Sequence, residues 1–547
     1  MPSLSLERAG RTVFAALLAI SIAAFFFVIY LEVSHLGHQS PQIDEYYFSA
    51  CAVRGIHIGS IPIAACHDNK APLIFLLYEL IFKATGDFNM PALRVVAISL
   101  ALANAAILAN IAYRVSGRVA AALTVSLLLS SMASDIQLMA LKTELVGGLL
   151  VSCAIFVLLK PAAWKSTLRL ALAGLFIGGA VVTKQTYAFA GFAVIAWLLL
   201  NGRFTSFAQT FAVLARCTVF GLSVLMPFCL FLLNFSHQGT ALDFLASFFL
   251  YPSIYGASCA GGLAGFPRCA GGVLSGLSDY PLLVTATVGA ATALVLSEPA
   301  AGPKRYSDPR WLILLIAVFL LIQLALTPWW FAGYIVMVLG PMALLSGIVA
   351  GDHWEDAWRT SSKLAFAALM VLFAGVTLSA AKTWHSNALM ERAQKNLQPA
   401  LAAVPAGASQ RYAYELGERP DFYARNGLAP ASSIQFFWAL PGTGEHWPYV
   451  RPKAASAKLR WLEARQSQNL PRLYADFAKT PPSYILFRND YMRIANASGT
   501  IGIPGFQAYL DRNCRLDPKA QTLQEYSFYE CGGRSHDEAP LRRNFGD

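Results

Sequence analysis

Charge is what this sequence has least of. Only 13% of its 547 residues are Asp, Glu, Lys or Arg, against about 25% in an ordinary soluble domain. With 56% hydrophobic residues and a mean hydropathy of +0.49, the chain is excluded from the water-soluble globular class and reads as a polytopic membrane protein. Neither a Cys-x-x-Cys pair nor a His-Glu-x-x-His element is present, so no motif argues for a metal centre. No internal repeat stands out, which speaks against the duplicated architecture of secondary transporters. Acid is scarcer than base, and the formal charge is +11. Many of the Lys and Arg sit in short loops between apolar runs, so the excess sets membrane orientation and no nucleic-acid partner is expected.

The first apolar run, residues 12–33, follows Arg8 and Arg11. It is too long for a signal peptide and has no small-x-small cleavage site before Glu32, so it is expected to stay as an anchor with a cytoplasmic N-terminus. Further runs at 92–112, 119–138, 145–160, 170–184, 187–201, 209–233, 281–298, 311–327, 334–350 and 364–381 bring the expected count to about eleven spans. Under this count the loops with Arg114 and Arg118, with Lys160, Lys165 and Arg169, with Arg203 and Arg216, and with Lys304, Arg305 and Arg310 share one side. The run Pro72 to Ala84 is too short to cross and reads as an amphipathic or re-entrant helix at the outer surface. Residues 34–91 are therefore one long external loop. The weakest spans, 170–184 and 187–201, are short and must be buried in the bundle.

Beyond residue 381 the composition turns polar, and alternating stretches such as Ser483 to Arg488 read as strands. The expected division is a membrane bundle over 1–381 and an extracytoplasmic mixed α/β domain over 382–547. Six cysteines fall in the segments placed outside, where an oxidising compartment permits pairing. The local pairs are Cys51 with Cys66, Cys259 with Cys269 and Cys514 with Cys531; unpaired thiols are the alternative.

Two stretches of the long external loop concentrate its charge close to the membrane surface: "QIDEYYFSA", from Gln42, with Asp44 and Glu45, and "CHDNKAPLIF", from Cys66, with Asp68 and Lys70. Charge at that depth tends to be functional or paired. A second acid, Glu144 in "LKTELVGG", lies at an outer span end near Lys142 and Asp135; a simple helix-end cap is its plainer reading. Lys184, between two short apolar runs, needs an anion or water, and a structural ion pair is the plainer alternative. His237 and Tyr334 also stand at outer span ends, where interfacial anchors are common.

The order of these motifs resembles the GT-C glycosyltransferases, in particular the bacterial branch similar to protein O-mannosyltransferases and lipid A aminoarabinose transferases. The likeness rests on Asp44-Glu45 after the first span, Asp68-Asn69-Lys70-Ala71-Pro72, Glu144, and Lys184 after "GGAVVT". Ala71 stands where relatives often have Pro, and Gly333-Tyr334 replaces a His-Tyr pair. The resemblance implies a polytopic α-helical GT-C-like fold and transfer of a sugar, with inversion, from a polyprenyl-phosphate donor to an acceptor on the outer face. By the same resemblance Asp44 and Glu144 are the catalytic acids, with Asp44 as base. Lys70 and Lys184 bind the donor phosphate, and Glu45, Asp68, His237 and Tyr334 line the donor and acceptor site. Some members of the family use a divalent metal near the phosphate, for which Glu144 with Glu45 or His237 are the available ligands. Lipopolysaccharide or lipid A, a cell-wall glycan and a protein are the candidate acceptors, and membrane lipids surround the bundle. The competing readings are a flippase for lipid-linked sugars and a non-catalytic envelope-assembly protein.

Overall fold

In the computed structural model, residues 43–60, 66, 71–132, 140–159, 166–202, 204–250, 266–278, 280–296, 308–326, 332–360, 412–417, 419–434, 457–488, 503–517 and 526–532 are described. In chain order the helices are α1 (Ile43–Ile58), α2 (Pro72–Thr85), α3 (Met90–Ser116), α4 (Val119–Met132), α5 (Thr143–Leu158), α6 (Thr167–Val181), α7 (Ala188–Leu200), α8 (Phe207–His237), α9 (Ala241–Leu245), α10 (Phe266–Ser278), α11 (Pro281–Leu296), α12 (Pro309–Leu326) and α13 (Val336–Thr360). Beyond them come β1 (Tyr412–Leu416), α14 (Asp421–Asn426), β2 (Ala429–Pro430), α15 (Ala457–Lys479), β3 (Pro482–Arg488), α16 (Phe506–Asn513), β4 (Cys514–Leu516) and β5 (Tyr526–Cys531). Two compact units divide them. One comprises residues 1–39, 93–237 and 261–390, the other residues 40–92, 238–260 and 391–547.

The first unit is helical. Among the described residues four helices are long and apolar enough to cross a membrane, Met90–Ser116, Phe207–His237, Pro309–Leu326 and Gly333–His353, and shorter apolar helices cover Thr143–Leu158, Thr167–Val181, Gln185–Leu200 and Leu283–Leu296. The chain is thus an integral membrane protein. The expected spans at 12–33 and 364–381 lie outside the described residues. Both α6 and α7 have buried faces in the common apolar core, contributing Leu170, Ala173 and Ile177, and Ala190, Val194 and Trp197. Close packing of α6 on α8 depends on Gly174 and Gly178, spaced as in small-xxx-small helix contacts. A Cβ on Gly174 would stand 2.6 Å from the Phe220 carbonyl oxygen, and one on Gly178 would run into the Val224 carbonyl.

The second unit is built on a mixed five-stranded sheet ordered β2-β1-β3-β5-β4. Strand β1 is parallel to β2 and β3, and β5 is antiparallel to β3 and β4. Alternation along the strands divides the side chains between two faces. Tyr414, Leu416, Ile485 and Phe487 pack with Leu473 and Phe477 of α15 and Phe506 and Leu510 of α16. Ala413, Tyr484, Leu486 and Phe528 pack with Phe422 and Tyr423 of α14 and with Ala50 of α1. The opposite side of α1 meets α2, where Phe48 lies edge-on to Phe75 at 5.3 Å and to Tyr78 at 5.5 Å. Helix α1 is thereby enclosed between α2 and the sheet.

Disulfides join Cys51 to Cys66 and Cys514 to Cys531, the first and third of the expected pairs. Cys259 of the second pair is outside the described residues. The Cys51–Cys66 bridge closes a loop of sequence separation 15, and the chain-entropy description assigns such a loop about 3 kcal/mol. Cys51→Ser together with Cys66→Ser should therefore destabilise the second unit by about 2–4 kcal/mol. Thermal unfolding of the oxidised full chain against the double variant measures it.

Candidate active site

The core of the first unit encloses an acid and a base that 40 residues of sequence separate. Glu144 stands in the first turn of α5, after Lys142, whose extended backbone precedes the helix. Lys184 occupies the break between α6 and a 3-10 turn, Gln185–Tyr187, that leads into α7, and its own backbone is extended. The break leaves the Lys184 side chain among apolar helices, with 9% of the residue exposed and 7% of Glu144. The Lys184 ammonium meets Glu144 Oε1 in a direct ion pair.

Neighbouring groups fix this pair on several sides. Thr143 Oγ1 donates to Glu144 Oε2 at 2.9 Å, and the Tyr187 hydroxyl donates to the Glu144 main-chain carbonyl at 2.7 Å. The Tyr334 ring lies under the ammonium, its centroid 3.5 Å from Lys184 Nζ. A cation over an aromatic face is stabilised by the ring quadrupole, more so away from water. A carboxylate in the first turn of a helix also lies at the positive end of the peptide dipoles. The arrangement therefore presents one acid and one compact cation, oriented by two hydroxyl groups and a ring. Tyr187 had no place in the motif reading, although it stands three residues after Lys184 in "TKQTY".

Room for the Tyr187 ring comes from Gly147, one turn into α5. A Cβ there would clash with the ring, running into Cε2 and standing 2.6 Å from Cδ2 and 2.7 Å from Cζ. Gly147→Ala should displace Tyr187, break its bond to the Glu144 carbonyl and cost about 1–3 kcal/mol by overpacking. Thermal unfolding of the solubilised protein reads the loss, and Tyr187→Phe, which keeps the ring, should lose less.

Asp44 and Glu45 belong to the second unit, in the first turn of α1. Glu45 is buried and Asp44 half-buried, and the Glu45 carbonyl accepts the Ser49 hydroxyl at 2.7 Å. Asp68 and Lys70 lie outside the described residues. His237 ends α8 and is exposed. Of the expected site residues, the structure thus brings Glu144, Lys184 and Tyr334 together in one unit and sets Asp44 and Glu45 side by side in the other.

A divalent cation does not fit the donor set at Glu144. One of its oxygens is paired with Lys184 and the other accepts Thr143, so an ion would have to displace an ammonium. Among the described residues no cluster of three or more His, Cys, Asp or Glu could hold a metal.

Comparison with known proteins adds a family match over part of the chain and a fold. Residues 69–231 match the family described as dolichyl-phosphate-mannose-protein mannosyltransferase, a stretch that holds Lys70, Glu144 and Lys184. The crystal structure of ArnT from Cupriavidus metallidurans bound to undecaprenyl phosphate is similar over 95% of this chain and 98% of that one, with a TM-score of 0.54 and 12% identity. The apo structure of the same protein gives 0.53 and 13%, with the same coverage. Curated proteins returned no match by sequence. The resemblance to GT-C glycosyltransferases that the motif order suggested holds at the level of family model and fold.

Proposed function

We propose that this chain is an inverting, polyprenyl-phosphate-dependent glycosyltransferase of a bacterial inner membrane, acting on an acceptor at its outer face. The observation that carries the reading is the buried Glu144–Lys184 pair over the Tyr334 ring, most of it inside the stretch matched by a family of lipid-phosphate-sugar transferases. Intramembrane ionisable pairs of this kind mark substrate paths by default. The ArnT structure, at 12% identity, supports the fold and no finer point. Residues 34–91 and 382–547 are assigned to the outer side, in keeping with the charged loops on the other.

The chemistry requires little of the protein beyond placement. In the donor, sugar C1 is bonded to a phosphate oxygen. An acceptor oxygen attacks C1 from the opposite face, the C1–O bond breaks, and its electron pair leaves on the polyprenyl phosphate. Because the second pKa of such a phosphate is near 6, it departs without a strong general acid. The acceptor hydroxyl gives its proton to the Asp44 carboxylate, which returns it to water. Lys70 and Lys184 stabilise the second negative charge that forms on the phosphate, as compact ammonium groups. Glu144 holds Lys184 in place and neutralises it until the donor arrives. Glu45, Asp68, His237 and Tyr334 are assigned to shaping the donor and acceptor site.

Mass-spectrometric profiling of lipids and glycans tests this reading in cells with and without the gene. Loss of one sugar from one acceptor, with its polyprenyl-phosphate donor accumulating, is the expected result and identifies both substrates. An unchanged glycan and lipid profile would overturn it.

A further inference from the structure

Helix α1, which carries Asp44 and Glu45, ends in an unusual tie. Arg54 is buried where α1 meets the sheet of the second unit. Its Nη1 donates to the Pro430 carbonyl of β2 at 2.6 Å, and its Nη2 stands 3.4 Å from Asp476 Oδ2 of α15. The same carboxylate oxygen accepts the Ser433 amide at 2.7 Å, the Ser433 hydroxyl at 2.7 Å and the Ser432 hydroxyl at 3.0 Å. One residue of α1 thus joins a strand and a helix more than 370 positions away in sequence.

Burying a guanidinium is a poor way to gain stability. Burial pulls the Arg54 pKa below its ordinary value while Asp476 opposes the shift, and apolar residues of similar volume often hold such a position at least as well. What arginine offers is direction, since a planar fork engages two acceptors in one orientation only. Ten residues of helix separate Arg54 from Asp44, about 15 Å along the axis. Over that lever a tilt of about 4° displaces the carboxylate by about 1 Å, an error that can slow a reaction about 10²-fold.

We propose that Arg54 is a positioning residue for transfer: by locking α1 to Pro430 and Asp476 it sets the placement of Asp44 and Glu45. The inference rests on the glycosyltransferase reading given above. Asp476 keeps three other donors when Arg54 is removed, so the sheet survives the loss of the tie. Arg54→Met should accumulate in the membrane, bind undecaprenyl phosphate as wild type does, and yield at least about tenfold less glycosylated product per molecule. Hydrogen exchange should quicken in residues 43–58 and stay unchanged in β1 and β3.

Should Arg54→Met fail to accumulate, Arg54→Lys decides. Its ammonium keeps the charge without the fork, so the protein should fold and transfer several-fold more slowly. Wild-type product from Arg54→Met, or from Arg54→Lys if that variant must decide, overturns the positioning role alone. So does a joint loss of product, lipid binding and sheet protection, which would make Arg54 a general stability residue. Absence of any product from wild type relative to a deletion strain overturns the transferase reading, and this role with it.

Discussion

Cells carrying Asp44→Asn at wild-type membrane abundance should lose the transferred sugar almost as completely as a deletion strain, by about 10²- to 10⁴-fold, the usual contribution of a general base. Asparagine keeps the shape of aspartate and removes its capacity to take a proton. The first turn of α1 loses one favourable charge at the helix N-terminus, worth about 0.3–1 kcal/mol. That is too little to unfold a unit with sheet packing on both faces and two disulfides. Abundance and thermal unfolding should therefore stay near wild type while product disappears and donor accumulates. Glu45→Gln is the matched comparison. The Glu45 side chain is buried, so its loss should tell on folding as much as on rate. Wild-type product from Asp44→Asn would remove the base from Asp44 and bring the flippase or assembly readings forward.

Much of this fold is legible in the sequence for one physical reason: lipid leaves a long, unbroken apolar signature. The runs at 92–112 and 209–233 sit within α3 and α8, and the alternation of Ser483 to Arg488 marks β3. Local cysteine pairs in loops assigned to an oxidising side anticipated two bridges. Less regular signals were missed. Helix α10 runs through Gly-rich sequence with no sustained apolar run. The packing of Ala50 and Arg54 against the C-terminal sheet depends on partners hundreds of residues away, which no local pattern encodes. At the candidate site, Glu144 and Lys184 were each visible as charges in apolar surroundings. Their pairing, and the part of Tyr187 in it, needed three-dimensional contact.

Whether that pair serves folding or transfer can be decided by breaking it in two ways. Glu144→Gln leaves a buried ammonium over Tyr334 with its carboxylate gone, and Lys184→Met leaves a buried carboxylate held by Thr143. Either single change should cost about 3–5 kcal/mol, because a buried charge loses its opposite member of the pair. Glu144→Leu combined with Lys184→Met removes both charges, and apolar replacement of a buried pair is often neutral or stabilising. The double variant should therefore regain the wild-type unfolding temperature in detergent. Its activity carries the argument. If the pair were only a structural strut, restoring stability would restore transfer. If Lys184 is the cation that meets the departing phosphate, the double variant should be as stable as wild type, bind undecaprenyl phosphate more weakly, and form at least about 10²-fold less product, as when one preorganised electrostatic donor is lost. Recovery of stability without recovery of transfer separates the two roles, because no folding defect is left to explain the missing product.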